Sequence, residues 1–257
     1  VQWMGLPGFG KPGSLLGIRF SGVIAQLDLN AALRQLRRMY WGGIRHFKVK
    51  VGFPGDLEIV RRVAAYLRRP IEHGRTSLRV DANGAWNVEQ WERWLAETAE
   101  LPIVAIEQPL GKSVTDQLCR VSASHPTWMH DESLITMEDA KRWIELGIAG
   151  GFNIRLSKCG GMLPSLRLAA LARRENVRTQ LGCMVGETSL LSAAGLRFLE
   201  VCPGVSWAEG CYGSFLMGDD VVARGLRFGY GGRPPRLAAS PGRRPAVDAA
   251  RLKRVCA

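Results

Sequence analysis

A chain of 257 residues with 46% apolar content carries enough hydrophobic material for one large core, and a single α/β barrel falls within its size. It contains no run of 18 apolar residues and no basic segment followed by an apolar one at its start, so neither a membrane-spanning helix nor a secretory signal is expected. The net charge of +12 brings nucleic acid to mind. The arginines, however, are spread as pairs such as Arg37-Arg38, Arg61-Arg62 and Arg173-Arg174 and over the tail, without a nucleic-acid-binding signature, so no specific nucleic-acid partner is expected.

Residues 1–16, rich in Gly and Pro, read as an irregular lead-in, and the chain opens on Val1, which predicts a further segment upstream. From there short β-rich runs alternate with longer helical patterns. Strands are predicted near 17–24, 46–51, 77–82, 103–107, 127–130, 152–156, 178–182 and 205–208. Helices are predicted near 30–41, 56–69, 87–99, 113–123, 136–147, 162–175 and 188–199. Asp56, Asn87 and Thr136 stand where N-caps are expected, and Gly147 and Gly150 where C-caps are expected. Residues 224–257, basic and rich in Pro and Gly, are expected to wrap on the surface or meet a partner segment, with one short regular stretch near 247–255. The barrel domain is accordingly placed at 17–223.

Strands and helices in this alternation imply right-handed βαβ units and a parallel sheet. Eight strands without a Gly-rich phosphate loop after the first favour a closed (β/α)8 TIM barrel over an open sheet. The ends of the apolar runs sharpen this choice. Lys50, Asp81, Glu107, Asp131 and Lys158 each close a run, at intervals of 24 to 31 residues. In a barrel, all strand C-termini face one mouth, whereas an open sheet would string the same five residues along a line.

Three converging carboxylates suit a hard divalent cation, Mg²⁺ with Mn²⁺ as a substitute. A lysine beside such a cation is lowered in pKa by like charge and desolvation, and so becomes a base near neutral pH. The chemistry implied is removal of a proton next to a substrate carboxylate, with the cation stabilising the charge of the resulting ene-diolate. Two bases on opposite faces of one carbon make a racemase or epimerase, and one base makes a cycloisomerase or lyase. The six cysteines form neither a CxxC pair nor a zinc-spaced cluster, a pattern expected of reduced thiols in a cytoplasmic protein.

Lys48-Val49-Lys50, Asp81-Ala82-Asn83-Gly84-Ala85-Trp86, Ile106-Glu107-Gln108-Pro109, Asp131-Glu132-Ser133 and Lys158-Cys159-Gly160-Gly161 together resemble the enolase superfamily, in particular its muconate-lactonizing subgroup. The resemblance covers roughly residues 17 to 235. It implies that Asp81, Glu107 and Asp131 bind Mg²⁺ and that Lys50 and Lys158 are the acid/base pair, in the manner that superfamily is known to use. It also implies that Lys48 assists beside the substrate carboxylate, that Asn83 and Asn153 position the site, and that Glu187 is the acidic residue carried near strand 7. The Gly182-Cys183-Met184-Val185-Gly186-Glu187-Thr188 segment has no histidine, unlike the mandelate-racemase branch, and looks most like dipeptide epimerases. Those relatives carry an Asp-x-Asp pair at the end of strand 8 for the dipeptide ammonium group. Here the segment is Trp207-Ala208-Glu209-Gly210, and Glu209 is the residue that would fill that role.

The expected function is Mg²⁺-dependent epimerisation of an amino-acid derivative or dipeptide, acting on a small-molecule carboxylate, in a protein that forms homo-oligomers. Two alternatives stand beside it. One is a cycloisomerase or an o-succinylbenzoate synthase-like dehydratase on the same fold. The other is a weakly active or non-catalytic remnant, because the resemblance implies an α+β capping domain ahead of the barrel and this chain enters almost directly at its first strand.

Overall fold

Apolar runs of four or five residues, separated by amphipathic stretches, set the architecture. A computed structural model describes residues 15–120, 126–235 and 246–256. Eight strands form one parallel sheet in chain order: β1 (Gly22–Ile24), β2 (His46–Lys50), β3 (Ser77–Asp81), β4 (Ile103–Glu107), β5 (Thr127–His130), β6 (Gly151–Ile154), β7 (Arg178–Leu181) and β8 (Trp207–Ala208). The sheet curls until its edges meet. Phe20, just ahead of β1, forms a parallel bridge with Ala208, and the Ser21 N–H donates to the Ala208 carbonyl at 2.9 Å.

Helices α1 (Leu29–Trp41), α2 (Asp56–Glu72), α3 (Val88–Thr98), α4 (Met137–Glu145), α5 (Met162–Arg174) and α6 (Ser189–Val201) carry the crossovers, with a short α7 (Gly213–Leu216) after β8 and α8 (Ala249–Cys256) in the tail. The outward side chains of the strands, such as Phe47, Val49, Leu78, Val80 and Ile106, bury against the helices together with Leu36, Ile59, Val63, Leu67 and Trp91. The inner face differs. Ala105, Met129 and Trp207 form a small apolar layer of their own, and the inward residues nearer the strand ends are polar.

Local chemistry explains the helix ends. Asn87 and Thr136 cap α3 and α4 through reciprocal capping boxes with Gln90 and Asp139. Asp56 does not cap α2. Gly55, in the left-handed region at φ 88°, is the N-cap, and the Asp56 carboxylate instead accepts the Gly52 N–H at 2.6 Å, tightening the loop after β2. Gly147, at φ 71°, ends α4 in a Schellman turn, with the Ile148 N–H on the Trp143 carbonyl. Gly150 plays no capping part: a Cβ there would stand 2.8 Å from the Trp128 carbonyl oxygen, so it permits close approach to β5. The helix expected at 113–123 is a 3-10 segment, Lys112–Arg120, with 121–123 outside the described residues. β-branched Val114 and Thr115 disfavour an α-helix there, and the Thr115 hydroxyl returns to the Gly111 carbonyl.

The described part of the tail packs back on the sheet. Leu226 and Phe228 join the main core, the Gly232 carbonyl accepts the Phe20 N–H at 2.8 Å, and Val247 bridges Val222. Among the described residues no helix is long and apolar enough to cross a membrane.

Candidate active site

Because strand side chains alternate, residues two apart share a face. Lys48 and Lys50 on β2, Arg79 and Asp81 on β3, and Ala105 and Glu107 on β4 therefore point inward together. Parallel register sets Lys50 opposite Asp81 and Asp81 opposite Glu107. Asp131 follows β5, and Arg155 and Lys158 follow β6. Asp81, Glu107 and Asp131 are all buried, at 0%, 1% and 0% exposure, so each needs a charged or hydrogen-bonding partner.

The partners are basic side chains. Lys50 Nζ donates to Asp81 Oδ2 at 2.6 Å and to Asn83 Oδ1 at 2.7 Å. Asn83, held at φ 48°, reaches on to Glu132. Lys158 Nζ donates to Asp131 Oδ1 at 2.6 Å and to the Asp131 carbonyl at 2.5 Å, while the Arg155 guanidinium takes Asp131 Oδ2. Lys48 sits deepest, ringed by three acids: Glu209 at 2.8 Å, Glu107 at 3.1 Å and Asp81 at 3.2 Å.

Electrostatics separates these amines. Burial works against the charge on Lys48, but Glu107, Glu209 and Asp81 override it and raise its pKa above the ordinary lysine range. Lys158 is the opposite case: burial, reinforced by the Arg155 guanidinium, lowers it to about 8. Burial alone would raise Glu107 and Glu209, yet Lys48 holds both below the usual carboxylate value, with Arg79 assisting.

The sequence-predicted residues are mostly brought together. Asn153 Nδ2 donates to Glu107 Oε1 at 2.7 Å, and the lack of a side chain at Gly182 leaves room for it. Glu209 is buried with both oxygens engaged, by Lys48 and by Arg79, and does not stand free at the mouth. Glu187 lies apart on the loop after β7, where it accepts the Met184 N–H at 2.8 Å and burial raises its pKa.

Four residues escaped sequence reasoning. Arg155 braces Asp131. Gln108 accepts the N–H groups of Asp131 and Ser133, fixing the loop after β5. Arg79 and Gln180 lie beneath Glu209 and Glu107. Alternation was the available signal for three of them, since Arg79 and Gln180 lie on the inward period of β3 and β7 and Arg155 continues that of β6.

Among the described residues no three acid, cysteine or histidine side chains stand close enough to enclose a metal ion as they lie, because each acid faces an amine or guanidinium. The donor chemistry nevertheless fits a hard cation. Three buried carboxylates come from neighbouring strand ends, and two further buried oxygens, Asn153 Oδ1 and Glu132 Oε2, have no hydrogen-bond partner. Unpartnered acceptors thus stand at the mouth, beside the unpartnered Arg155 Nε–H.

Residues 31–238 match the family model described as enolase C-terminal domain-like. Among curated proteins, the chain is 35% identical over 155 residues to a hydrophobic dipeptide epimerase of Roseobacter litoralis, covering 60% of this chain and 44% of that protein. It is 32% identical over 179 residues to an L-amino acid-D/L-Glu epimerase of Sulfurimonas denitrificans, covering 67% and 51%. A chloromuconate cycloisomerase of Cupriavidus pinatubonensis matches at 27% over 215 residues, covering 80% and 57%. The solved muconate lactonizing enzyme of Pseudomonas putida superposes with a TM-score of 0.81 at 25% identity, covering 92% of this chain and 65% of that one. The chain spans about half the length of the curated relatives it matches. With the family model spanning most of its length and the eight-stranded parallel sheet carrying its acids and lysines at the strand ends, this chain belongs to the enolase C-terminal domain-like family.

Proposed function

We propose that this chain is the (β/α)8 barrel of a metal-assisted isomerase that removes and returns the proton α to a substrate carboxylate. The carrying observation is that two amines approach one acid cluster from opposite flanks, Lys50 on Asp81 and Lys158 on Asp131. In this reading Lys158, lowered to about 8, takes the proton from one face of the carbon, and Lys50 delivers one from the other. Lys48 stays charged and supplies fixed positive potential behind the acids. Asp81, Glu107 and Asp131 would hold Mg²⁺ or Mn²⁺, which supplies Lewis-acid stabilisation of the charge developing on the substrate carboxylate. Arg155 orients Asp131, and Asn153 orients Glu107.

An amino-acid derivative or dipeptide is the substrate class this reading favours, supported by likeness to proteins named as epimerases. Glu209 favours a second reading, a cycloisomerase acting on an unsaturated dicarboxylic acid. Both its oxygens are engaged by Lys48 and Arg79, so β8 presents no free carboxylate for a substrate ammonium group. The free thiols of Cys159, Cys183, Cys202 and Cys211 support placing the protein in a reducing, cytoplasmic compartment.

Incubation in D₂O with Mg²⁺ and a panel of dipeptides, N-acyl amino acids and unsaturated dicarboxylic acids, followed by proton NMR, separates the readings. Epimerisation gives loss of the Cα proton signal with racemised substrate. Cycloisomerisation gives a single stereoisomer of product and no racemised substrate. Absence of exchange and of product across the panel would sink both.

A further inference from the structure

The inner face of the sheet holds a second group of charges beneath the acids, and the isomerase reading does not use it. Arg79 lies at its centre, 1% exposed, two residues before Asp81 on β3. Its guanidinium addresses three neighbours at once. One terminal nitrogen, Nη1, donates to the Gln180 side-chain oxygen. The other, Nη2, donates to Ser21 Oγ at 2.6 Å and to Glu209 Oε1 at 3.4 Å. The Trp207 ring, part of the small apolar layer, lies against the guanidinium at 5.0 Å.

Each contact continues upward. With its oxygen committed to Arg79, the Gln180 amide must present its nitrogen, and that nitrogen donates to Glu107 Oε2 at 3.1 Å. With Oε1 committed to Arg79, Glu209 turns Oε2 to Lys48 at 2.8 Å, nearer than Lys48 stands to Glu107 or Asp81. A reversed Gln180 amide would aim an oxygen at a buried carboxylate. A freely turning Glu209 would leave Lys48 to Asp81 and Glu107, the two acids assigned to the metal. A planar fork can set both orientations at once, whereas an ammonium group has no such directionality.

We propose that Arg79 is a positioning residue: through Gln180 it orients Glu107, and through Glu209 it fixes the third acid that holds Lys48 beside Glu107 and Asp81. This rests on the isomerase reading for what Glu107 and Lys48 accomplish, but the orientation itself has a readout independent of activity. Arg79→Lys keeps the charge and loses the fork. Gln180→Met removes the upper link while leaving Arg79 in place.

In the parent, the Gln180 side-chain amide should appear in ¹H–¹⁵N spectra as a resonance protected from solvent exchange, and Arg79→Lys should abolish that protection. Mn²⁺ affinity, read by electron paramagnetic resonance, should weaken by about 10- to 100-fold in Arg79→Lys and in Gln180→Met. The rate of Cα proton exchange should fall by a similar factor through kcat, with KM little changed. Parent-like amide protection together with parent-like Mn²⁺ affinity in a folded Arg79→Lys protein would overturn the proposal. Should Arg79→Lys not fold, Gln180→Met decides through the same Mn²⁺ measurement, parent-like affinity again counting against it. If the parent neither binds Mn²⁺ nor exchanges substrate protons, the isomerase reading fails, and the protection of the Gln180 amide still decides the part assigned to Arg79.

Discussion

Lys48 and Lys158 are chemically identical and both touch acids, Lys48 fully buried and Lys158 partly so, yet they sit in opposite electrostatic states. On the β2–β8 side, Lys48 meets three carboxylates and is held charged. On the β5–β6 side, Lys158 meets one, which it shares with Arg155, and its pKa drops to about 8. Burial lowers both lysines, so burial does not distinguish them. The ratio of acids to cations around each amine does. In the proposed function, one side of the mouth supplies a fixed charge and the other a group that exchanges a proton.

The contrast breaks most severely at Glu107, which joins Lys48, Gln180 and Asn153 on the closed side. Glu107→Gln removes the anion from a fully buried pair and should cost about 3–5 kcal/mol in urea unfolding. Asp131→Asn should cost less, because its partners Arg155 and Lys158 keep some contact with solvent. Equal losses would remove the distinction between the two sides.

A pH titration of stability sharpens it further. His130, at the end of β5, is buried, stacked on Trp143 and hydrogen-bonded to the Ile148 carbonyl, and burial depresses its pKa from 6.5 to about 4. Between those values the unfolded chain binds a proton that the folded chain refuses, so stability falls as the pH drops through that window. The loss from this group should total about 3 kcal/mol by pH 4 and be absent above pH 6.5. A His130→Asn protein with the same pH slope would contradict it. Smallest is the cap of α3, remote from both lysines. Asn87→Ala should lower stability by about 1 kcal/mol and leave the Mn²⁺ affinity of the mouth unchanged.

Much of this arrangement was legible in the chain because β-strands that end in a charge are unusual and the charges recur once per βα unit. Lys50, Asp81 and Glu107 close their strands as the run ends predict, Asp131 follows directly on β5, and Lys158 lies on the turn after β6, which ends at Ile154. The lower charges were harder to read. Arg79 interrupts Leu78 and Val80, and Gln180 lies between Thr179 and Leu181, so each looks like a break in an apolar strand. Only the two-residue alternation shows that the inner face is polar from Arg79 to Asp81. Asp56 misled because an acid beside a helix start fits two roles, and the left-handed Gly55 before it decides between them. The segment after β4 misled because an amphipathic spacing suits a 3-10 turn as well as an α-helix when β-branched residues open it.

In the proposed function Lys158 exchanges a proton while Lys48 remains a fixed cation. The most direct test is the pH dependence of Cα hydrogen–deuterium exchange with Mg²⁺ present, in the parent and in Lys158→Ala. A lysine must be neutral to act as a base, so the parent rate should rise about tenfold per pH unit below pH 8 and level off above it. Exchange on the face served by Lys158 should fall by at least about 100-fold on substitution. An unchanged rate and profile in Lys158→Ala would contradict the account.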